Sequence, residues 1–303
     1  MKRWLLPAIL LAATATFGCS STSAVKETQT AADAQNARID EAPQSSSHHK
    51  NRGTFPFQGE HLTFDARHVA TKAHVADATL QVGYESAMED GTKFIPIIGQ
   101  AASKSIVRLF ARIDDRAEAY VDPTTWETIY SYKHLNENDR NREYNVWFWN
   151  DDDIASAERK QGERTSKRDY TLPPDTMYSI AWVYEIRTRK LDEGQEFVTY
   201  TFDGWTLNRV TVKVKGMEDV WTEKGFFHCR KFEIWRERCE AIAPRGALSG
   251  VFIEPARKIQ VENYKLATAW LADDELHTPV RMVVDTGIGE FDLLLKAVGK
   301  IER

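Results

Sequence analysis

Four carboxylates crowd one short stretch, Asp114, Asp115, Glu118 and Asp122, within Asp114-Asp115-Arg116-Ala117-Glu118-Ala119-Tyr120-Val121-Asp122. Two carboxyl groups held a few ångströms apart can cleave a glycosidic bond. One protonates the leaving group, and the other attacks or activates water. The run reads as a strand, and strand geometry divides the set. Asp114, Arg116, Glu118 and Tyr120 fall on one face; Asp115 falls on the other with Ala117, Ala119 and Val121. Arg116 then has carboxylates beside it on a wet sheet face, and that structural pairing is the simpler role. A glycan hydrolase of the cell envelope is the alternative function this stretch keeps open.

The second candidate set is aromatic. Trp147, Phe148, Trp149, Trp182, Tyr184, Trp205 and Trp270 could line an apolar ligand cavity, since a barrel mouth is a common ligand site. The competing explanation is a plain aromatic core.

Other chemistry finds little support. Asp151-Asp152-Asp153 offers oxygen ligands but lacks the glycine and terminal glutamate of a calcium loop. His48 and His49 sit in polar text, and His68 and His74 are six apart, which is no metal spacing. No nucleophile elbow, His-Glu-x-x-His, phosphate loop or Cys-x-x-Cys occurs, so the expectation is no metal, no cofactor and no catalytic signature. The net charge of −5 gives no basic face for phosphates, which argues against nucleic acid.

The N-terminus carries an address. Lys2-Arg3 is a positive start, and Trp4 to Ala15 is an apolar run too short to span a bilayer. Thr16-Phe17-Gly18-Cys19-Ser20-Ser21 follows, matching a bacterial lipoprotein cleavage site except that Thr16 stands where Leu is usual. Residues 1–18 are then the signal peptide and Cys19 the lipidated residue. Loss of Lys2 and Arg3 would make the charge two more negative than −5. Ser20 rather than Asp fits outer-membrane sorting. Residues 19–54 contain Ser, Ala, Thr, Gln and charges without apolar periodicity, the composition of a tether.

Export also bears on Cys229 and Cys239, which stand in an oxidising compartment and invite a disulfide. Between them lies no Gly, Pro or Asn to turn the chain. As one strand it would hold the thiols roughly 33 Å apart, so a bridge needs a break near Arg236-Glu237. Both states stay open.

The remaining text positions these candidates. Of 303 residues, 42% are hydrophobic and 11% aromatic, with nine Trp, a bias that suits strands. Period-two runs occur at 61–67, 76–84, 93–98, 141–150, 196–202, 208–215, 231–237, 258–270, 280–285 and 289–298, and two more flank Asp122-Pro123. Residues 103–111 read as a short helix. Pro173-Pro174-Asp175 opens another, with Asp175 as N-cap and Met177, Ile180, Ala181 and Tyr184 on one face. Residues 151–168, charged and uneven, read as a long exposed loop. The expectation is one mainly antiparallel all-β domain over residues 55–303 with one or two short helices. So many strands should curl into a barrel or half-barrel; a two-layer β-sandwich is the alternative.

Several motifs also resemble a known family. Asp114 to Asp122, Tyr132-Lys133-His134-Leu135, Leu172-Pro173-Pro174-Asp175, Leu191-Asp192-Glu193-Gly194, Lys224 to Phe232, and Ala269 to Asp274 with Pro279-Val280-Arg281 occur in an order similar to that of the exported bacterial proteins grouped as DUF3108. The resemblance spans about residues 56–298. It implies an exported β protein and assigns no activity. The readings together point to an outer-membrane lipoprotein, held by its lipid. Its periplasmic β domain would bind an apolar or amphipathic envelope component, or a protein partner.

Overall fold

The computed structural model describes residues 51–108, 112–137, 140–239, 264–286 and 289–302. The first strands are β1 (Glu60–His68), β2 (His74–Val82), the two-residue β3 (Ser86–Ala87) and β4 (Lys93–Ser103). A one-turn helix α1 (Ser105–Arg108) leads to β5 (Asp114–Val121), β6 (Thr128–Glu137), β7 (Arg140–Trp149), β8 (Ile154–Gln161) and β9 (Arg164–Thr171). After α2 (Ser179–Ile186) come β10 (Glu196–Phe202), β11 (Leu207–Thr222), β12 (Gly225–Cys239), β13 (Tyr264–Ala272), β14 (Pro279–Asp285) and β15 (Glu290–Lys300).

The strands form one antiparallel sheet in the order β10-β11-β12-β13-β14-β15-β1-β2-β4-β5-β6-β7-β8-β9. β15 returns to pair with β1, from Glu60↔Lys300 to His68↔Phe291. The sheet curls without β9 and β10 pairing, so the half-barrel expectation holds and the sandwich does not. Across the gap, Met177 bridges Thr201, its N–H donating to the Tyr200 carbonyl at 3.1 Å.

The concave face is filled from above by α2. Ile180, Ala181, Trp182, Tyr184 and Ile186 are all buried. The helix packs on β4 and β5, whose inward residues Ala101, Ala117 and Ala119 are small enough to admit it. Its C-terminal end is fastened to β1. Buried Arg187 donates to both Glu60 carboxylate oxygens at 2.8 and 2.6 Å and stacks on Phe57 and Tyr184. Phe55 and Phe57 complete an aromatic plug with Trp126 and Tyr184, at centroid distances of 5.1–5.9 Å. On the other side, Lys133 and Asp203, both 1% exposed, pair at 3.3 Å and tie β6 to the β10–β11 turn. That turn lies hard against β7. A Cβ on Gly204, at φ +91°, would meet Val146 at 2.6 Å.

Three expectations change. The helix starts at Ser179 with Tyr178 at its N-cap, not at Asp175. Asp175 lies earlier, in a left-handed turn at φ +56°, because Met177 is drawn into the bridge with β10. The segment expected as a loop forms the β8–β9 hairpin, turned at Gly162 with φ +58°. Most of β9 is exposed on both faces, which erases the alternation that marks a half-buried strand. The open reading of Cys229 and Cys239 closes: both are buried thiols ten residues apart along β12, so distance forbids a bridge between them. The signal peptide, Cys19, the tether to residue 50, and 258–263 of the expected 258–270 strand lie outside the described residues.

Candidate functional site

Between α2 and the concave sheet lies an apolar cavity of about 140 Å³. Trp182, Val183 and Ile186 of α2 form its roof. Phe64, Ala78 and Leu80 come from β1 and β2, Phe232 and Ile234 from β12, Leu271 from β13, Met282 from β14 and Leu293 from β15. The space follows from side-chain size. Ala78, Gly99, Ala117 and Ala269 leave room where larger residues would close the gap. An apolar cavity of this size admits an aromatic ring or a short alkyl segment. Gln100 and Arg281 also line it. Arg281 is already held, bidentate, by Asp292 at 2.8 Å and stacks on Trp270.

Of the seven aromatics expected at a cavity, Trp182 alone lines this one. Alternation on β7 buries Phe148 and leaves Trp147 and Trp149 exposed on the opposite face. Trp147 ends an outer row in which Phe94, Tyr120, Tyr130 and Trp147 touch in turn across four strands. Tyr184 belongs to the aromatic plug. Half-buried Trp205 is flanked by the guanidinium groups of Arg159 and Arg168 at 5.2 and 4.7 Å. Trp270 sits in a separate small cluster with Val220, Cys229, Ala272 and Val280, its indole N–H donating to Glu218 at 2.8 Å. Sequence reasoning missed this lining, because Phe64, Leu80, Phe232, Leu271 and Leu293 read as ordinary inward positions of five different strands.

The four carboxylates do not converge. Asp114 is exposed near Arg108 at 3.5 Å. Glu118 accepts from Arg116 at 2.5 Å and from the Tyr120 hydroxyl at 3.1 Å. Asp122 caps its own turn, accepting from the N–H groups of Thr124 and Thr125. Asp115 faces inward and accepts from the Asn136 N–H at 2.9 Å. Burial, reinforced by the charge of Glu137, pushes Asp115 up to about 7. Glu137 is in turn bonded by Arg142 at 2.9 Å. The main charge acting on Asp115 is therefore the repelling carboxylate of Glu137 on β6, and the acidic set supplies no pair of carboxylates around an open cleft.

A metal-type donor set also appears that sequence spacing concealed. Asp65, His74 and Asp77 place one ligand atom each within 4.8 Å of one another on β1 and β2, because Asp65 and Asp77 are directly paired. Cations already hold both carboxylates. Arg67 donates to Asp65 at 2.7 Å, the Lys104 ammonium contacts Asp77, and Lys296 lies 4.0 Å from Asp77. Burial opposes ionisation of Asp77, yet the hydrogen bond and charge of Lys104 hold it below the ordinary carboxylate range. His74 Nε2 also lies 3.0 Å from the Ala76 carbonyl oxygen, the place of an N–H donor and not of a metal-directed lone pair. This is an ion cluster joining the outer faces of β1, β2 and β15.

Known structures are similar to the chain at low identity. A β-barrel-like protein of the DUF1849 domain from Brucella abortus is 8% identical, covers 80% of this chain and 98% of its own, and gives a TM-score of 0.48. A candidate exported protein with a YmcC-like fold from Bacteroides fragilis is 10% identical, with 80% and 96% coverage and a TM-score of 0.28. A candidate lipoprotein from Parabacteroides distasonis is 9% identical, with 80% and 95% coverage and a TM-score of 0.30. No curated protein matches significantly. The family model described as "Protein of unknown function (DUF3108)" matches residues 63–296, and the chain belongs to that family.

Proposed function

We propose that this chain is a lipoprotein of the bacterial envelope, anchored through Cys19, whose half-barrel holds the apolar part of an envelope ligand under α2. The carrying observation is the cavity of about 140 Å³ roofed by Trp182, Val183 and Ile186. An acyl segment suits it. The lining is hydrocarbon almost throughout. The sequence before Ser20 supports export and lipidation, and the net charge of −5 gives no electrostatic reason to expect nucleic acid as partner.

Mass spectrometry of lipids that co-purify with the chain tests the ligand. We expect acylated molecules with the wild type and their loss with Ala78→Phe, which fills the cavity. An empty wild type, or equal lipid in a folded Ala78→Phe chain, refutes it. Palmitate labelling of wild type against Cys19→Ala tests the anchor separately; label retained in Cys19→Ala refutes lipidation at that residue.

A further inference from the structure

The apolar groups that this fold leaves in solvent include a pair at the end of its longest hairpin. Trp221 is 73% exposed and Phe226 is 49% exposed. They face each other across β11 and β12 at the last rungs before the Thr222-Glu223-Lys224-Gly225 turn, with ring centroids 5.0 Å apart. The hairpin beneath them is braced. Val220 is buried against the Trp270 cluster, and the turn residue Glu223 pairs with Arg67 of β1 at 3.3 Å. The two rings are therefore presented on a fixed ribbon.

We infer that the β11–β12 tip is a second attachment point, at which Trp221 and Phe226 enter the headgroup region of a phospholipid bilayer. Three features favour lipid over a protein pocket. Two rings offer at most a few hundred Å², well under the roughly 800 Å² per partner of a stable protein interface, whereas a bilayer needs no matching rim. The tip's backbone is paired rung by rung, Trp221 with Phe226 and Thr222 with Gly225, so shallow insertion leaves few amide groups without partners. Trp is also favoured at the membrane–water interface, where an apolar ring meets polar surroundings. The inference takes from the proposed function only the anchor. From Cys19 to Arg52 the chain can span at most on the order of 100 Å, which places the tip within reach of the same membrane. The tip's own affinity for the bilayer then adds to that of the anchor at high effective concentration, the two-signal arrangement that makes lipid anchoring firm.

The test uses the mature chain carrying Cys19→Ser, so that neither lipidation nor the cavity ligand is needed. It is floated with vesicles of phosphatidylethanolamine and a minority of phosphatidylglycerol. We expect it to float, and Trp fluorescence to be quenched by lipids brominated on the acyl chain. Trp221→Ser with Phe226→Ser should weaken partitioning at least tenfold while far-ultraviolet circular dichroism is unchanged. Trp221→Phe, which keeps an apolar ring, should retain most of it and guards against a folding artefact. A Cys19→Ser chain that does not float, or a double variant that floats equally, overturns the inference. Loss of a protein cross-link in the double variant, without any flotation of the parent, overturns it in favour of protein docking. Failure of palmitate labelling at Cys19 would remove the anchor and leave this result standing or falling alone.

Discussion

Replacing Asp115 by Asn should make the protein more stable at neutral pH and should do so in a pH-dependent way. The carboxyl is 4% exposed, accepts from the Asn136 N–H, and has the Glu137 charge nearby. Its folded value of about 7 stands well above the 3.8 of a free aspartate. The sign follows from proton counting. Between these values the folded state binds the proton and the unfolded state has lost it, so stability falls as pH rises through the window. From pH 5 to pH 8 the wild type should lose roughly 2.5 kcal/mol relative to Asp115→Asn, out of a full difference of roughly 4 kcal/mol. Asn keeps the acceptor for Asn136 and never ionises, so subtracting the two curves cancels the titrating groups that do not sense the Asp115 charge. Urea unfolding of both chains across this range measures the difference. For a domain of this size, thermal melts should show the gap widening by about 5–10 °C. A difference that stays flat, or that favours the wild type as pH rises, refutes the burial argument.

Glu60→Gln should cost about 3–5 kcal/mol in denaturant unfolding, because it leaves the Arg187 guanidinium buried without its counter-charge; a cost under about 1 kcal/mol would mean that the pair is solvated. Ala78→Phe should abolish binding of a fluorescent fatty-acid analogue while leaving the melting curve cooperative, and undiminished binding would place the ligand elsewhere. Both thiols of the Cys19→Ala chain should resist an aromatic disulfide reagent until the fold is opened, since burial pushes the Cys229 thiol up to about 12 and both thiols are enclosed; rapid native labelling would contradict this. Phe57→Ala, which removes the ring under Arg187, should destabilise by about 3–5 kcal/mol, read from the urea midpoint.

Much of the architecture was legible in the chain. Alternation at 61–67 announces a strand, since a half-buried sheet must separate polar from apolar every second residue. The same alternation correctly split Asp115 from Asp114 and Glu118. It failed within 154–168, most plainly at 164–168, where water on both faces of β9 removes the contrast that alternation reports. It also left the β7 aromatics undecided. Both faces of Tyr144 to Trp149 are rich in aromatic groups, and only the curl of the sheet chooses Phe148 for the core and Trp147 for solvent.

What the sequence determined by itself was therefore local: strand periods, turns, and the family to which the ordered motifs belong. The tertiary structure alone decided the sites. The cavity exists because Ala78, Gly99, Ala117 and Ala269, from strands far apart in the chain, come to lie beneath one helix. The value of about 7 at Asp115 exists because the fold buries its carboxyl and then brings Glu137 of β6 beside it. Volume and charge act through space over a few ångströms, and no spacing along one chain encodes which distant residues the sheet will bring that close.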